Sequence, residues 1–138
     1  MRWLGMMVLL VGCGKAVGGG DGVLDDDEIP EVGWVAELKT HHHDVAGTAT
    51  IIDEQTIEIT GFDYDGGGIN SRLFLLIDGE DFHRDFELTD NLTGDTYEGD
   101  TLVVDIPAEA GFDQWNLLTL WCLPAAVSFG DGVFRPPE

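Results

Sequence analysis

Ala46-Gly47-Thr48-Ala49-Thr50-Ile51-Ile52-Asp53, followed by Glu54-Gln55 and then Thr56-Ile57-Glu58-Ile59-Thr60, decides the fold class. In the first run Thr48, Thr50 and Ile52 alternate with Gly47, Ala49 and Ile51. In the second, Ile57 and Ile59 share one face. A period of two sends successive side chains to opposite sides of an extended chain, and β-branched residues suit that pleated surface. Asp53-Glu54-Gln55 between the runs is turn-like, so the stretch predicts an antiparallel hairpin. Working outward, Leu73-Phe74-Leu75-Leu76-Ile77 is a continuous apolar run of strand length, which predicts a central strand covered on both faces. Thr101 to Ile106 is a further strand, closed by Pro107. Trp115 to Leu123 is the longest, with Leu118, Leu120 and Cys122 on one face and Trp115, Leu117, Thr119 and Trp121 on the other. Val127-Ser128-Phe129 closes the set. No segment carries a helical period beyond one turn near Pro107 to Phe112, and the 19 glycines and 5 prolines are spread along the chain. The expected fold is all-β, an antiparallel β-sandwich or barrel of seven to nine strands.

The chain has 138 residues, room for one domain of ordinary size. At 43% hydrophobic it can build a core. Its 27 Asp and Glu against 6 Lys and Arg give a formal charge of −21. Phosphate binding runs on the cations this chain lacks, so nucleic acid is not an expected partner.

The N-terminus reads as an address. Arg2 precedes the apolar run Trp3 to Val11, which is far shorter than the ~20 residues that span a bilayer. It fits the core of a secretory signal. The run ends in Leu10-Val11-Gly12-Cys13, which resembles the bacterial lipobox. The resemblance implies cleavage after residue 12, lipidation of Cys13 and a lipid anchor in the membrane of a bacterial cell envelope. Gly14 carries no acidic inner-membrane retention signal, which points to the outer membrane. Loss of residues 1–12 removes one base and leaves a charge of −22 with Cys122 as the sole free thiol. Residues 13–32, with Gly18 to Gly22 and Asp25-Asp26-Asp27-Glu28, have the composition of an extended acidic tether, and the β domain is expected over residues 33–138.

A family likeness adds to this. His43-Asp44-Val45-Ala46-Gly47-Thr48-Ala49, Phe62-Asp63-Tyr64-Asp65-Gly66, Trp115 to Cys122 and Val127-Ser128-Phe129-Gly130, in that order, resemble the DM-thirteen domain. That family is the proposed electron-transfer domain found beside DOMON domains in Skeletor-type proteins and alone in bacterial envelope proteins. The likeness covers about residues 41–134. Where the family shows Gly-Pro-Asp, this chain has Gly68-Ile69-Asn70. The resemblance implies a β-rich fold and a redox role centred on the cysteine that matches Cys122.

Cys122 is therefore the candidate redox or metal thiol, with its blander alternative a small buried hydrophobe in a binding or scaffolding module. An electron has to reside on a metal, a haem or an envelope redox partner, and no motif names which. A free reactive thiolate needs cations or a helix N-terminus nearby, and an anionic, helix-poor chain supplies neither. His41, His42, His43 and His83 are the candidate co-ligands, with His43 favoured as accessory because it sits where the family pattern places it. No HExxH, CxxC or CxxCH motif is present. Asp63-Tyr64-Asp65-Gly66-Gly67-Gly68 opens like an EF-hand but has Phe74 where the bidentate Glu belongs, leaving only a looser calcium site from Asp63, Asp65, Asp78 or Asp81. Asn91-Leu92-Thr93 is a glycosylation sequon in form, with no role expected of it in a bacterial lipoprotein. No catalytic constellation stands out, and a non-catalytic module is the expectation.

Overall fold

A computed structural model of the chain describes residues 24–137. The expected signal peptide, the expected lipidation site Cys13 and the expected tether as far as residue 23 lie outside the described residues. Seven strands follow in chain order: β1 (Val35–Thr40), β2 (Ala46–Asp53), β3 (Thr56–Tyr64), β4 (Ser71–Leu76), β5 (Tyr97–Asp105), β6 (Leu117–Cys122) and β7 (Val127–Val133). They form one antiparallel sheet in the order β4-β6-β7-β1-β2-β3-β5. The fold is all-β, as the alternation predicts, and no helix among the described residues is long and apolar enough to cross a membrane.

The hairpin forms as its pattern dictates. Ile51 pairs with Ile57 and Ala49 with Ile59, all four fully buried. The Gln55 amide donates to Asp53 Oδ1 at 2.8 Å, so the aspartate side chain shapes the turn. β1 then joins two halves. Along one edge it pairs with β2 through Ala36↔Ala49, and near its end with β7 through Lys39↔Asp131. The sheet curls about this shared strand into a half-barrel. Ile51, Ile57 and Ile59 of one half enter a single core with Leu73, Leu118 and Leu120 of the other. Each such side chain, taken fully out of water, contributes about 1.5–3 kcal/mol.

Two expectations are corrected. The run at Leu73–Ile77 becomes β4, which stands at the end of the strand order and not at its centre. It is nonetheless buried on both faces, because residues 77–96 wrap around it. The Leu75 amide donates to the Phe86 carbonyl, and the Leu88 and Leu92 amides donate to the Leu73 and Ser71 carbonyls, satisfying the strand's open edge. Phe82 meets Phe74 edge-on and stacks on Trp121 at 4.3 Å, capping the outer face. A continuous apolar run reports burial, and a covering loop buries a strand as well as a neighbouring strand does. The stretch Trp115–Leu123 contracts to β6, preceded by a 3₁₀ turn over Phe112–Gln114. Asn116 turns its side chain to the Asp78 amide, and Trp115 Nε1 donates to the Ala110 carbonyl. Trp121 lies half-buried under Phe82 and outside the inner core. Upstream, Leu24 is buried and Asp26–Glu28 makes a 3₁₀ turn.

Candidate functional site

Cys122 ends β6 and stands directly opposite Ser71, the first residue of β4. Both side chains are on the inner face and both are buried, Cys122 at 2% and Ser71 at 0% exposure. Directly opposed residues of an antiparallel pair hold their Cβ atoms about 4.5–5.5 Å apart, which puts the serine hydroxyl beside the sulfur. The chain then crosses near the sulfur twice. Before β4 comes the loop Asp65–Asn70, fixed by a hydrogen bond from the Leu123 amide to the Asn70 carbonyl at 2.9 Å. After β6 comes the turn through Ala126, whose amide donates to the Cys122 carbonyl at 2.9 Å with Ala126 at φ 56°.

These crossings aim donors at the sulfur. Burial alone pushes the Cys122 thiol up, but the backbone amides of Ile69, Ala125 and Asn70 and the Ser71 hydroxyl outweigh it and hold the thiol below its ordinary range. The direction differs from what the charge and the scarcity of helices suggest, while the burial of the sulfur agrees with a packed thiol. Successive backbone N–H groups in a loop form an anion-binding concavity without a helix and without a cation.

The cup around the sulfur is built from several side chains. The Ser71 amide donates to Asn91 Oδ1 at 3.0 Å and to Thr93 Oγ1 at 3.2 Å, while Asn91 Nδ2 donates to the Ile69 carbonyl at 3.4 Å. Asn91 thus ties both sides of the loop's exit. Arg72 Nε donates to Asn70 Oδ1 at 3.0 Å, and Arg72 is itself paired with Glu87 at 2.8 Å. Arg84 and Arg72 together hold the Glu87 carboxyl below its usual range, against the opposing pull of burial. Earlier in the loop, Tyr64 donates to the Gly67 carbonyl and the Gly67 amide donates to Asp65 Oδ1 at 2.7 Å.

His43 belongs to the same assembly from the outside. Its Nδ1 lies 3.1 Å from Asp65, and its ring meets the Phe129 ring edge-on at 4.4 Å. A side chain on Gly67 would strike the His43 ring. Gly68, at φ +94°, leaves room for Phe129, since a Cβ there would sit 2.7 Å from that ring and 3.0 Å from Ser71 Oγ. His43 itself has φ 61°, a left-handed conformation that costs a non-glycine residue on the order of 1–3 kcal/mol. His43 therefore touches the loop at Gly67, and Cys122 touches it at Ile69 and Asn70.

His42 also meets the Phe129 ring edge-on, at 6.0 Å, and the other two histidines go elsewhere. His41 pairs with Asp131 at 3.2 Å, and His83 with Asp85 at 3.6 Å. A metal held by Cys122 would need further ligands within reach of the sulfur. Among the described residues, the one set of three or more His, Cys, Asp or Glu groups close enough to share an ion is the exposed Asp25, Asp27 and Glu28. Asp63 and Asp65 spend oxygens on the Gly99 and Gly67 amides, and the looser calcium site does not assemble. Clefts of about 590 and 540 Å³ are lined by other residues, from Asp53 to Phe112 and from Val35 to Pro136, and neither reaches Cys122.

Of these residues, Cys122 and His43 were visible in the sequence. Ser71, Asn91 and Thr93 were not singled out for this role. Their one available signal was the sequon-like Asn91-Leu92-Thr93, which marks an Asx-type turn here, with the Thr93 amide donating to Asn91 Oδ1 at 3.0 Å. No curated protein and no solved structure matches the chain. The family model described as Electron transfer DM13 matches residues 37–133, a span that contains the hairpin, the glycine loop, Ser71 and Cys122. The chain belongs to the Electron transfer DM13 family.

Proposed function

We propose that this protein is a lipid-anchored component of a bacterial cell envelope whose DM13 domain handles electrons through the Cys122 thiolate, as a non-catalytic redox module. The observation that carries the proposal is a buried sulfur directly across the strand pair from Ser71 and enclosed by the backbone of Ile69, Asn70 and Ala125, which holds its thiol below the ordinary range. Such an enclosure stabilises negative charge on sulfur and disfavours its protonation. Residues 1–14 support the anchor through Cys13, with the outer membrane as its place. One cysteine offers no internal disulfide in the mature chain, so its oxidising or reducing counterpart is a separate envelope redox protein. His43 serves as an accessory that steadies the glycine loop against Phe129.

The competing reading, a binding or scaffolding module, is favoured by the 2% exposure of Cys122, which suits a packed thiol. Redox titration of the detergent-solubilised full chain, beside Cys122→Ala, separates the two. In a glutathione redox buffer the redox reading expects a reversible mixed disulfide, in which the Cys122 thiolate displaces one glutathione thiolate from oxidised glutathione, and the variant lacks it. A thiol that stays reduced throughout, with a variant that is merely less stable, would establish the scaffold. Radioactive fatty acid incorporated by the wild type and not by Cys13→Ala tests the anchor.

A further inference from the structure

We propose that Ser71 is a positioning residue that donates its hydroxyl proton to the Cys122 thiolate and thereby sets the thiol's protonation at neutral pH. This deepens the redox reading above and rests on it.

Ser71 Oγ is fully buried and has no hydrogen-bond partner of ordinary geometry. A buried hydroxyl left so has given up its hydration without replacement, a cost that an alanine at the same place would not incur. Its neighbourhood is otherwise apolar or committed: the Phe129 ring and Gly68 on one side, and Asn91 and Thr93 occupied with the Ser71 backbone amide. Across the strand pair stands the Cys122 sulfur. A neutral thiol is a poor acceptor, so the contact is loose while the proton is on sulfur. A thiolate is a strong acceptor, and hydrogen bonds to charged partners shorten and strengthen. The hydroxyl therefore gains its partner only when Cys122 ionises, adding to the Ile69, Asn70 and Ala125 amides. Backbone pinning by Asn91 and Thr93 fixes Ser71 for this role, and the register with Cys122 aims it.

The charged groups on the elements packed around the sulfur have contacts of their own: Arg72 with Glu87 beside β4, Asp131 with His41 beside β7, and Asp65 with His43 beside the loop. The proton equilibrium of Cys122 is left to its hydrogen-bond donors.

The test uses the full chain carrying Cys13→Ala, so that Cys122 is the one thiol present. Thiolate absorbance near 240 nm is followed against pH, with the matching Cys122→Ala protein subtracted, which needs no reagent to reach the buried sulfur. In Ser71→Ala the titration midpoint should rise by about one pH unit, a tenfold change in the ionisation constant and the effect of one charge-assisted hydrogen bond of roughly 1.4 kcal/mol. Ser71→Thr and Ser71→Val are isosteric and differ by the hydroxyl alone. Threonine should titrate near the wild type and valine near alanine, and this pair decides the matter if alanine loosens the fold. A serine protein with a low midpoint shared by alanine and valine overturns the role of Ser71 and leaves the redox reading standing. A wild-type midpoint at or above that of an ordinary thiol overturns the reading beneath it.

Discussion

The two halves that meet at β1 use the same antiparallel pairing and do different work. In the half formed by β1, β2, β3 and β5, one face is in the core and the other is in water, so β3 alternates buried Ile57 and Ile59 with Glu58 and Thr60. In the half formed by β4, β6 and β7, covering loops bury β4 on both faces, and Phe82 roofs Trp121. The first half spends its backbone groups within the ladder. Beside the second, the irregular segments Asp65–Asn70 and Leu123–Ala126 keep amides free of the ladder, and those amides reach the sulfur. Regular strands supply stability here, and the loops at the strand ends supply chemistry.

That division can be broken or sharpened experimentally. The largest effect should come from the first half. Ile57→Ala removes a fully buried side chain and is expected to cost about 2–5 kcal/mol in urea unfolding. It should leave the titration midpoint of Cys122 unmoved, and a shifted midpoint would show the halves to be coupled. Gly68→Ala should cost about 1–3 kcal/mol, because its Cβ meets the Phe129 ring at a positive φ. Unlike Ile57→Ala, it should also raise the Cys122 midpoint by displacing the loop. Asn91→Ala removes one of the two acceptors of the Ser71 amide and should cost about 1–2 kcal/mol. Faster alkylation of Cys122 in that variant would confirm that the side chain holds the cup closed.

The pH dependence has a definite sign. The folded Cys122 thiol lies below its unfolded value, so its stabilisation is present above the unfolded value and is lost as pH falls through the folded one. Wild type minus Cys122→Ala stability should therefore rise with pH across the neutral to alkaline range, with a slope no steeper than about 1.4 kcal/mol per unit for one proton. A flat difference would reduce Cys122 to packing. Glu87 is lowered too, so its share is present at neutral pH and lost in acid as pH falls through its folded value. Arg84, at 56% exposure, leaves that ion pair open to solvent, and Glu87→Gln should cost less than about 1 kcal/mol in thermal melts.

Strand alternation was legible because it is local. The hairpin at Ala46–Thr60 and the inward set Leu118, Leu120 and Cys122 follow from a two-residue period that needs no knowledge of partners. Ala36 and Leu38 of β1 carry the same period, but over a short run that lacks the threonine and isoleucine enrichment of the hairpin. The order of strands was not legible. β4 has the composition of a central strand and stands at an edge, since side-chain hydrophobicity records burial without recording what buries it.

The sequence by itself determined an all-β chain, an acidic composition and a single cysteine in its globular part. Only the tertiary structure decided what that cysteine faces. Ser71 meets it through strand register, and Asn91 reaches Ser71 across 20 residues of chain. The direction of a backbone amide leaves no mark in residue type. From composition the domain had no means to favour a thiolate; the folded chain supplies one from its own N–H groups, which every residue but proline carries and only the fold can aim.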